Sequence, residues 1–382
     1  MDYRIIEVDS RRLVGKFIKF PRAIYRGNNH WVPPLTLDMR RRLHPLENPF
    51  FRYGSVKLFA ALDEKEALVG RCAAIINPVH DELYHDKAGF FGMFECIDDI
   101  AAARALMGAV MDELRGNNRA RVIGPVNFTT NDEAGILVEG FDSDPMIMTA
   151  YNPPYYAKLL EACGFEKAMD MLNYEWQFSH AYPDRFERIM ETLSLHSEIH
   201  IRPLNRKRLK EEILAIREVY NASFQGVWGF VPITLAEAEE MGKVFRLFAD
   251  DELVLFAEYK GKPVGFCLTL PDVNEILKEL NGTFFPFGIF RFALRRRRIR
   301  NARVMVLGVL PAYRNLGTAA MLIHRLHRVG RARHYQKAEL GVVMESNQRM
   351  RGLLDTLGFR ANKRYRIYHA PINDNIMEVT TP

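Results

Sequence analysis

Residues Val306–Ile323 read VLGVLPAYRNLGTAAMLI, and this stretch decides the fold. An apolar strand ends at Pro311, which needs no ladder donor, and a helix of small and apolar residues begins after Gly317. The first amides of a helix favour an anion, and a glycine lets a ligand approach the backbone closely. Arg314 either clamps a phosphate or orders the loop. The junction suits a pyrophosphate, although turns with one glycine are also common.

Other nucleotide, metal and hydrolase sites do not fit this chain. The junction is not a Walker loop, because no Gly-Lys-Ser/Thr follows, nor a Rossmann fingerprint, because it has one glycine. No Gly-x-Ser-x-Gly elbow occurs. His324 and His327 lie three apart without a third ligand nearby, so we predict no metal site. The four cysteines are far apart and are interpreted as core residues in a reducing compartment.

The chain repeats itself at about half its length. LLEACGFEKAMDMLNYEW (Leu159–Trp176) and LLDTLGFRANKRYRIYHA (Leu353–Ala370) each end a helix, turn at Gly-Phe and enter a strand rich in tyrosine. Gly164 and Gly358 fit the left-handed position that closes a helix. Two copies at half-chain spacing indicate a tandem duplication.

The apolar pattern predicts the order β-α-β-β-β-α-β-α-β twice. We therefore expect an α/β (α+β) protein of two domains, each a mixed, mostly antiparallel sheet flanked by helices. The predicted ranges are 1–180 and 197–382, with residues 181–196 as a linker. The length of 382 residues and the apolar fraction of 48% are sufficient for two cores.

The chain shows no targeting or membrane-spanning pattern. Its first residues lack the basic and apolar regions of a signal peptide, and no apolar run approaches the ~18 residues needed to span a bilayer. We expect a soluble, cytoplasmic protein without a membrane span.

The formal charge of +6 is concentrated in RFALRRRRIRNAR, Arg291–Arg303, which contains seven arginines. Such runs are usually solvated faces. The excess favours an anionic partner, and a phosphate-bearing cofactor, RNA or a membrane surface would all fit. The basic residues are not interleaved with stacking aromatics as in RNA-binding modules, so a nucleic acid is the less favoured partner.

Two spaced motifs carry a resemblance to a known family. V-L-P-x-x-R-x-x-G-x-A at Val309–Ala319 resembles the acyl-CoA-binding signature of the GCN5-related N-acetyltransferases, the GNAT superfamily. NQRMRGLLDTLGF at Asn347–Phe359 is similar to the family's second motif. The first half keeps the Gly-Phe ending but has Glu95, Asp98 and Asp99 in place of an Arg-x-x-Gly loop. We interpret it as a GNAT-like domain without a cofactor site.

The resemblance implies an N-acyltransferase, of the class that transfers groups other than aminoacyl groups and most often acetyl. Acetyl-CoA or another acyl-CoA would be the co-substrate, without a metal, and the acceptor would be the amine of a small molecule or peptide. The cofactor-binding residues it implies are Gly308, Val309, Leu310, Arg314, Asn315, Leu316, Gly317, Thr318, Ala319 and Asn347.

The catalytic groups are less clearly marked. The family's usual acid is a tyrosine whose position here is Leu354, which has no proton to give. Another side chain or water could protonate the leaving thiolate in its place. Otherwise the thiolate leaves unassisted, or the domain does not catalyse. Tyr365 and Tyr368 are the candidate substitutes, although such tyrosines are more often packing residues. Glu345, at the end of its strand, is the candidate base, and Glu339 lies earlier on it. Both acids could equally be surface residues.

Two alternatives stay open at this point. The missing tyrosine and the missing first loop would suit a non-catalytic acyl-CoA-binding or regulatory protein. The arginine run would suit a tandem-GNAT aminoacyl transferase that uses charged RNA.

Overall fold

The computed structural model describes residues 3–282, 292 and 294–372. These residues form two compact units. As far as they are described, the first comprises Met1–Asp170, Leu280–Phe284 and Tyr365–Pro382, and the second comprises Met171–Glu279 and Phe285–Arg364.

The closing strand of each repeat is divided between the units. One is Glu166–Gln177, which becomes β7 in chain order, and the other is Arg360–Pro371, which becomes β13. Residues 171–177 of β7 belong to the second unit, and residues 365–371 of β13 belong to the first. The domain ranges 1–180 and 197–382, with residues 181–196 between them, remain a prediction from the sequence.

The first unit contains a mixed sheet. Strands β1 to β4 are antiparallel neighbours, β4 and β5 are parallel, and β5 pairs antiparallel with residues 368–371 of β13. The strands are β1 (Arg4–Glu7), β2 (Ser55–Leu62), β3 (Leu68–Ile76), β4 (Ala88–Cys96), β5 (Arg121–Gly124) and β6 (Ile136–Glu139). The helices are α1 (Arg11–Lys19), α2 (Pro21–Ile24), α3 (Thr36–Arg42), α4 (Pro78–Tyr84), α5 (Ile100–Gly116) and α6 (Tyr156–Ala162).

The second unit repeats this plan. Strands β8 to β11 are antiparallel neighbours, β11 and β12 are parallel, and β12 pairs antiparallel with residues 171–177 of β7. The strands are β8 (Ile199–Pro203), β9 (Val254–Tyr259), β10 (Lys262–Pro271), β11 (Asn301–Val309) and β12 (Lys337–Met344). The helices are α7 (Asp184–His196), α8 (Leu209–Ser223), α9 (Leu235–Phe248), α10 (Asn274–Leu280), α11 (Thr318–Ala332) and α12 (Gln348–Thr356). The predicted fold class, mixed and mostly antiparallel sheets flanked by helices, is confirmed.

Each unit has its own core, built by helices whose apolar residues recur every three or four positions. In the first unit, α5 buries Ala102, Leu106, Val110 and Leu114 against the sheet. In the second, α11 buries Leu322 and other apolar residues on one face, and α8 and α9 contribute a separate cluster.

The glycines predicted to close the two homologous helices do so. Gly164 has φ +83° and Gly358 has φ +82°. After each glycine, the phenylalanine amide donates to a leucine carbonyl five residues earlier, Phe165 to Leu160 and Phe359 to Leu354. This is the left-handed helix ending expected from the repeated Gly-Phe.

Three features of the described residues bear on what the protein can bind. Their helices include none with the length and apolarity that crossing a bilayer requires. The four cysteines are free thiols, and Cys72, Cys96 and Cys267 are buried. No group of three or more His, Cys, Asp or Glu side chains in this part of the chain could hold a metal ion.

Candidate functional site

The parallel strands β11 and β12 separate halfway along their length. They pair from Asn301 to Val304 and from Lys337 to Leu340, but continue to Val309 and Met344. The pairing of β10 with β11 also shifts register here, because Leu268 faces Val306 whereas Thr269 faces Val304. The extra residue is Met305, and such a bulge bends and twists its strand. An opening therefore begins where the parallel ladder ends.

The strand segments on either side of this opening are apolar, although the side chains of Met305, Val306 and Leu307 pack against the core clusters. Met305, Val306 and Leu307 on β11 are half-buried, and Val342 on β12 is 38% exposed. Beyond the bulge, the remaining pairing of β11 is with β10, where Phe266 faces Gly308. An unpaired strand edge presents amides and carbonyls to an extended molecule.

The end of β11 continues directly into a turn and a helix. Residues Pro311–Leu316 form a 3-10 turn, Gly317 has φ +75°, and α11 begins at Thr318 without a side-chain cap. The first amides of a helix have no partner within it. The uncapped start of α11 is therefore a positively polarised group of backbone donors beside the opened strand.

Arg314 orders this turn. Its Nε donates to the Val309 carbonyl at 3.1 Å and a terminal nitrogen donates to the Ser223 carbonyl at 2.5 Å. Arg349 in turn donates to the Arg314 carbonyl at 2.8 Å and to Oδ1 of Asn315 at 2.7 Å. Of the two roles considered for Arg314 from sequence, ordering of the loop is the one that these contacts support.

The other residues implied at the cofactor site lie in or next to this turn, with one exception. Gly308 lies against Phe266, Leu310 donates its amide to Val264, and Thr318 is buried with its hydroxyl donating to the Tyr313 carbonyl at 2.8 Å. Leu316 is exposed and Ala319 is half-buried in the first turn of α11. Asn347, further along the chain, caps α12 by accepting from the Met350 amide at 3.1 Å.

The corresponding helix start in the first repeat is already occupied. Asp99 caps α5, and its Oδ1 accepts from the amides of Ala101 at 2.7 Å and Ala102 at 3.1 Å. The Ala102 amide holds the pKa of the Asp99 carboxyl below its usual range. A carboxylate thus takes the place that an anionic ligand would need.

Glu95 has a different position from Asp99. It lies within β4 and accepts from Tyr156 Oη at 2.7 Å and Tyr25 Oη at 3.0 Å, with Arg71 at 3.5 Å. Burial raises the pKa of the Glu95 carboxyl, and Arg71 opposes that effect. Glu95 is an internal link between β3, β4 and the helices rather than a residue of the helix start.

The alternative that Glu339 is a surface acid is wrong. Its side chain is 1% exposed and pairs with Lys363 Nζ at 3.0 Å. Asn173 and Asn362 donate to the same carboxylate at 2.6 and 2.7 Å. This buried cluster lies one residue before the ladder between β11 and β12 ends. Sequence reasoning missed it, because Lys363 and the two asparagines lie far from Glu339 along the chain.

The candidate catalytic residues are spread over both units. Glu345 follows the end of β12 in the second unit and is half-buried, and its carbonyl accepts from Arg351 at 2.9 Å. Tyr365 and Tyr368 are fully buried in residues assigned to the first unit. Tyr368 Oη donates to Glu161 at 3.0 Å, and burial raises its pKa to about 12. Leu354 is buried in the core of the second unit.

The two histidines of α11 have separate partners. His324 Nε2 lies 2.8 Å from Glu187, whereas Nδ1 of His327 accepts from Trp176 Nε1 at 2.9 Å. Burial lowers the pKa of His327 to about 4, so this side chain is a neutral core residue at neutral pH.

Comparison with known proteins identifies the family of this chain. The sequence model described as Acetyltransferase (GNAT) family matches residues 213–359. Protein YghO of Escherichia coli (strain K12) is 32% identical over 363 residues, covering 93% of this chain and 92% of that protein. Bacterial ceramide synthase of Caulobacter vibrioides (strain NA1000 / CB15N) is 30% identical over 374 residues, covering 96% and 97%.

Solved structures are similar in fold. A tandem GNAT protein from the clavulanic acid biosynthesis pathway has a TM-score of 0.59 at 13% identity, covering 98% of this chain and 100% of that one. A GCN5-related N-acetyltransferase from Sphaerobacter thermophilus has a TM-score of 0.54 at 14% identity, covering 99% and 98%.

Proposed function

We propose that this chain, which belongs to the Acetyltransferase (GNAT) family, transfers an acyl group from acyl-CoA to an amine. Family members are acyltransferases that use acyl-CoA as co-substrate. One observation carries the proposal: α11 begins uncapped at Gly317 beside the opened strand β11, whereas Asp99 occupies the same place in the first repeat.

The cofactor would be held by backbone more than by side chains. The amides of Gly317, Thr318 and Ala319 would receive the pyrophosphate, and the turn Arg314–Leu316 would be held in shape by its own contacts. The pantetheine would pair with the free edge of β11 along Gly308–Leu310. Asn347 would support the site from the start of α12.

The transfer itself requires a base more than an acid. The amine nitrogen bonds to the acyl carbon, the carbon–sulfur bond breaks, and its electron pair leaves with the CoA sulfur. We propose that Glu345 accepts the proton of the amine. A thiol is a far stronger acid than an alcohol, with a pKa of about 8.5 for the cysteine side chain, so a thiolate is an adequate leaving group. Leu354 at the position of the family's usual acid is therefore compatible with turnover. The variants Tyr365→Phe and Tyr368→Phe test whether either tyrosine acts as the acid instead.

The acyl group and the acceptor are proposed from a relative. A ceramide is the N-acyl derivative of a long-chain amino alcohol, and the ceramide synthase covers nearly the whole of this chain. We therefore propose a fatty acyl-CoA and a long-chain amino alcohol as substrates, in preference to acetyl-CoA and a small polar amine. The 38% exposed apolar side chain of Val342, just past the end of the parallel ladder, supports this preference. The cytoplasm stays the expected location.

Calorimetry with acetyl-CoA and palmitoyl-CoA, followed by release of CoA thiol across a set of amines, tests the proposal. We expect palmitoyl-CoA to bind more tightly and turnover to require a long-chain amino alcohol. Turnover with acetyl-CoA and a small amine would contradict the proposed substrate class but support the proposed reaction. Tight binding without turnover on any amine would favour a non-catalytic protein, and turnover only with charged RNA would favour an aminoacyl transferase. Absence of binding to any acyl-CoA would exclude the proposed site.

A further inference from the structure

A short segment before β11 presents a concentrated positive charge to solvent. We define the arginine patch as Leu294 and Arg295–Arg298, and the last three arginines form a 3-10 turn. Arg296, Arg297 and Arg298 are exposed. Within residues 3–282, 292 and 294–372, no carboxylate forms an ion pair with any of these three, whereas Arg295 pairs with Glu279. Alternating charges along a helical face indicate a surface neutralised by its own ion pairs, whereas this turn carries charge of one sign.

Exposed aliphatic side chains lie in this patch and in the helix that the neighbouring Phe292 contacts. Leu294 is 78% exposed, and Leu247 near the end of α9 is 64% exposed. Phe292 packs against Phe248 with ring centroids 5.2 Å apart, which brings the two segments together. Ile299 is buried and anchors the end of the turn.

The neighbouring sequence has the same character. Residues 283–294 read TFFPFGIFRFAL and contain five phenylalanines immediately before the four consecutive arginines. Apolar side chains next to arginines are typical of segments that lie at a membrane interface. There, apolar groups enter the boundary of the acyl chains while guanidinium groups contact lipid phosphates.

We propose that the arginine patch docks the protein on an anionic phospholipid surface. Unpaired arginines complement the phosphates, and the exposed Leu294 and Leu247 gain by leaving water. Nucleic acid is the less favourable partner, because the exposed large apolar side chains that the structure describes here, Leu294 and Leu247, are aliphatic and the Phe292 ring packs on Phe248, which leaves bases little surface to stack on. The docking does not rest on the proposed reaction, because it concerns residues outside the acyl-CoA site.

The test is flotation of the full chain with vesicles of 70% phosphatidylcholine and 30% phosphatidylglycerol, compared with pure phosphatidylcholine. The variant is Arg296→Gln/Arg297→Gln/Arg298→Gln. Its control, Arg11→Gln/Arg12→Gln/Lys16→Gln, removes three exposed positive charges from α1. Each basic residue near an anionic surface strengthens binding about fivefold, so we expect a loss of roughly a hundredfold for the patch variant. The control should stay close to wild type.

Two further measurements complete the design. Leu294→Asp should weaken binding to anionic vesicles while the thermal transition is unchanged, because the side chain is exposed. Acyl-CoA affinity should be the same in all variants. Equal binding of patch variant and wild type, equal loss in the control, or no wild-type binding to anionic vesicles would overturn the proposal. So would tight binding of a 20-nucleotide RNA, lost in the patch variant, in the absence of vesicle binding.

Discussion

At the scale of single residues, Glu339 and Lys363 form a fully buried ion pair in the second unit. Both side chains are 1% exposed, and Asn173 and Asn362 complete the hydrogen bonding of the carboxylate. Two buried charges are stable together because each compensates the other, and removing one of the two charges is therefore strongly destabilising.

We expect Glu339→Gln to reduce the free energy of unfolding by about 3–5 kcal/mol, because the buried Lys363 would lose the carboxylate charge beside it. The matched control is Glu175→Gln on β7. Glu175 pairs with Lys337 at 2.8 Å, but both side chains are 29% exposed, so the expected loss is below about 1 kcal/mol. Urea denaturation measures both, and similar losses would contradict this account.

His327 predicts a dependence of stability on pH. Burial lowers its pKa to about 4, whereas the unfolded side chain titrates near 6.5. Between these values the unfolded state binds the proton and the folded state does not. The stability is therefore full above about pH 6.5 and falls as the pH drops toward 4, by roughly 3 kcal/mol in all.

The variant His327→Gln keeps an acceptor for Trp176 and removes the titration. Urea unfolding between pH 4 and 7 should show a shallower slope in this variant. His200→Gln, at an exposed position, is the control and should retain the wild-type slope. An unchanged slope in His327→Gln would show that other groups cause the pH dependence.

At the scale of elements, the turn between β11 and α11 connects the opened strand to the helix start. Arg314 holds this turn by donating to the carbonyls of Val309 and Ser223. A guanidinium can bridge two carbonyls in this way, whereas an ammonium is a point charge.

We expect Arg314→Gln and Arg314→Lys to weaken acyl-CoA binding by a similar factor, about tenfold, because each loses hydrogen bonds from a charged group. Calorimetry measures the affinities. Restoration of wild-type affinity by lysine would mean that Arg314 acts as a phosphate-binding charge, contrary to the contacts seen here.

The same elements show what sequence can and cannot predict. The Gly-Phe endings at Gly164 and Gly358, and the helix start after Gly317, are local signals and were placed correctly. The helix cap formed by Asp99 was not predicted, because an acid near a helix start can repel an anion without capping the helix. The cluster around Glu339 could not be predicted, because its members come from three segments that are distant along the chain. The bulge at Met305 could not be predicted either, because an extra apolar residue does not alter the sequence pattern of an apolar strand.

At the scale of the whole molecule, the two repeats do not each form one unit by themselves. The core of the first unit includes Tyr368 and Ala370 from β13, and the core of the second includes Leu172, Tyr174 and Trp176 from β7. The repeats have the same strand pattern, so the sequence alone could not show which unit receives which closing strand.

We expect the fragment 1–180 to lack cooperative unfolding in urea, because it misses the strand that pairs with β5. Fragment 1–170 joined through a flexible Gly/Ser linker to residues 365–372 should regain a cooperative transition. Circular dichroism during urea titration distinguishes them. A fragment 1–180 that unfolds as cooperatively as the joined chain would show that the predicted range is a self-sufficient domain.

The most direct test of the acyl-CoA site is the affinity for palmitoyl-CoA of Gly317→Asp and Gly317→Asn, measured by calorimetry. Both residues tolerate left-handed φ better than most, and both bring a Cβ near the flexible end of Leu193, so they differ chiefly in charge. We predict that Asn stays close to wild type, whereas Asp, like Asp99 in the first repeat, supplies its own anion and loses at least about a hundredfold. Equal affinity of the two variants would contradict the assignment of the pyrophosphate to this helix start.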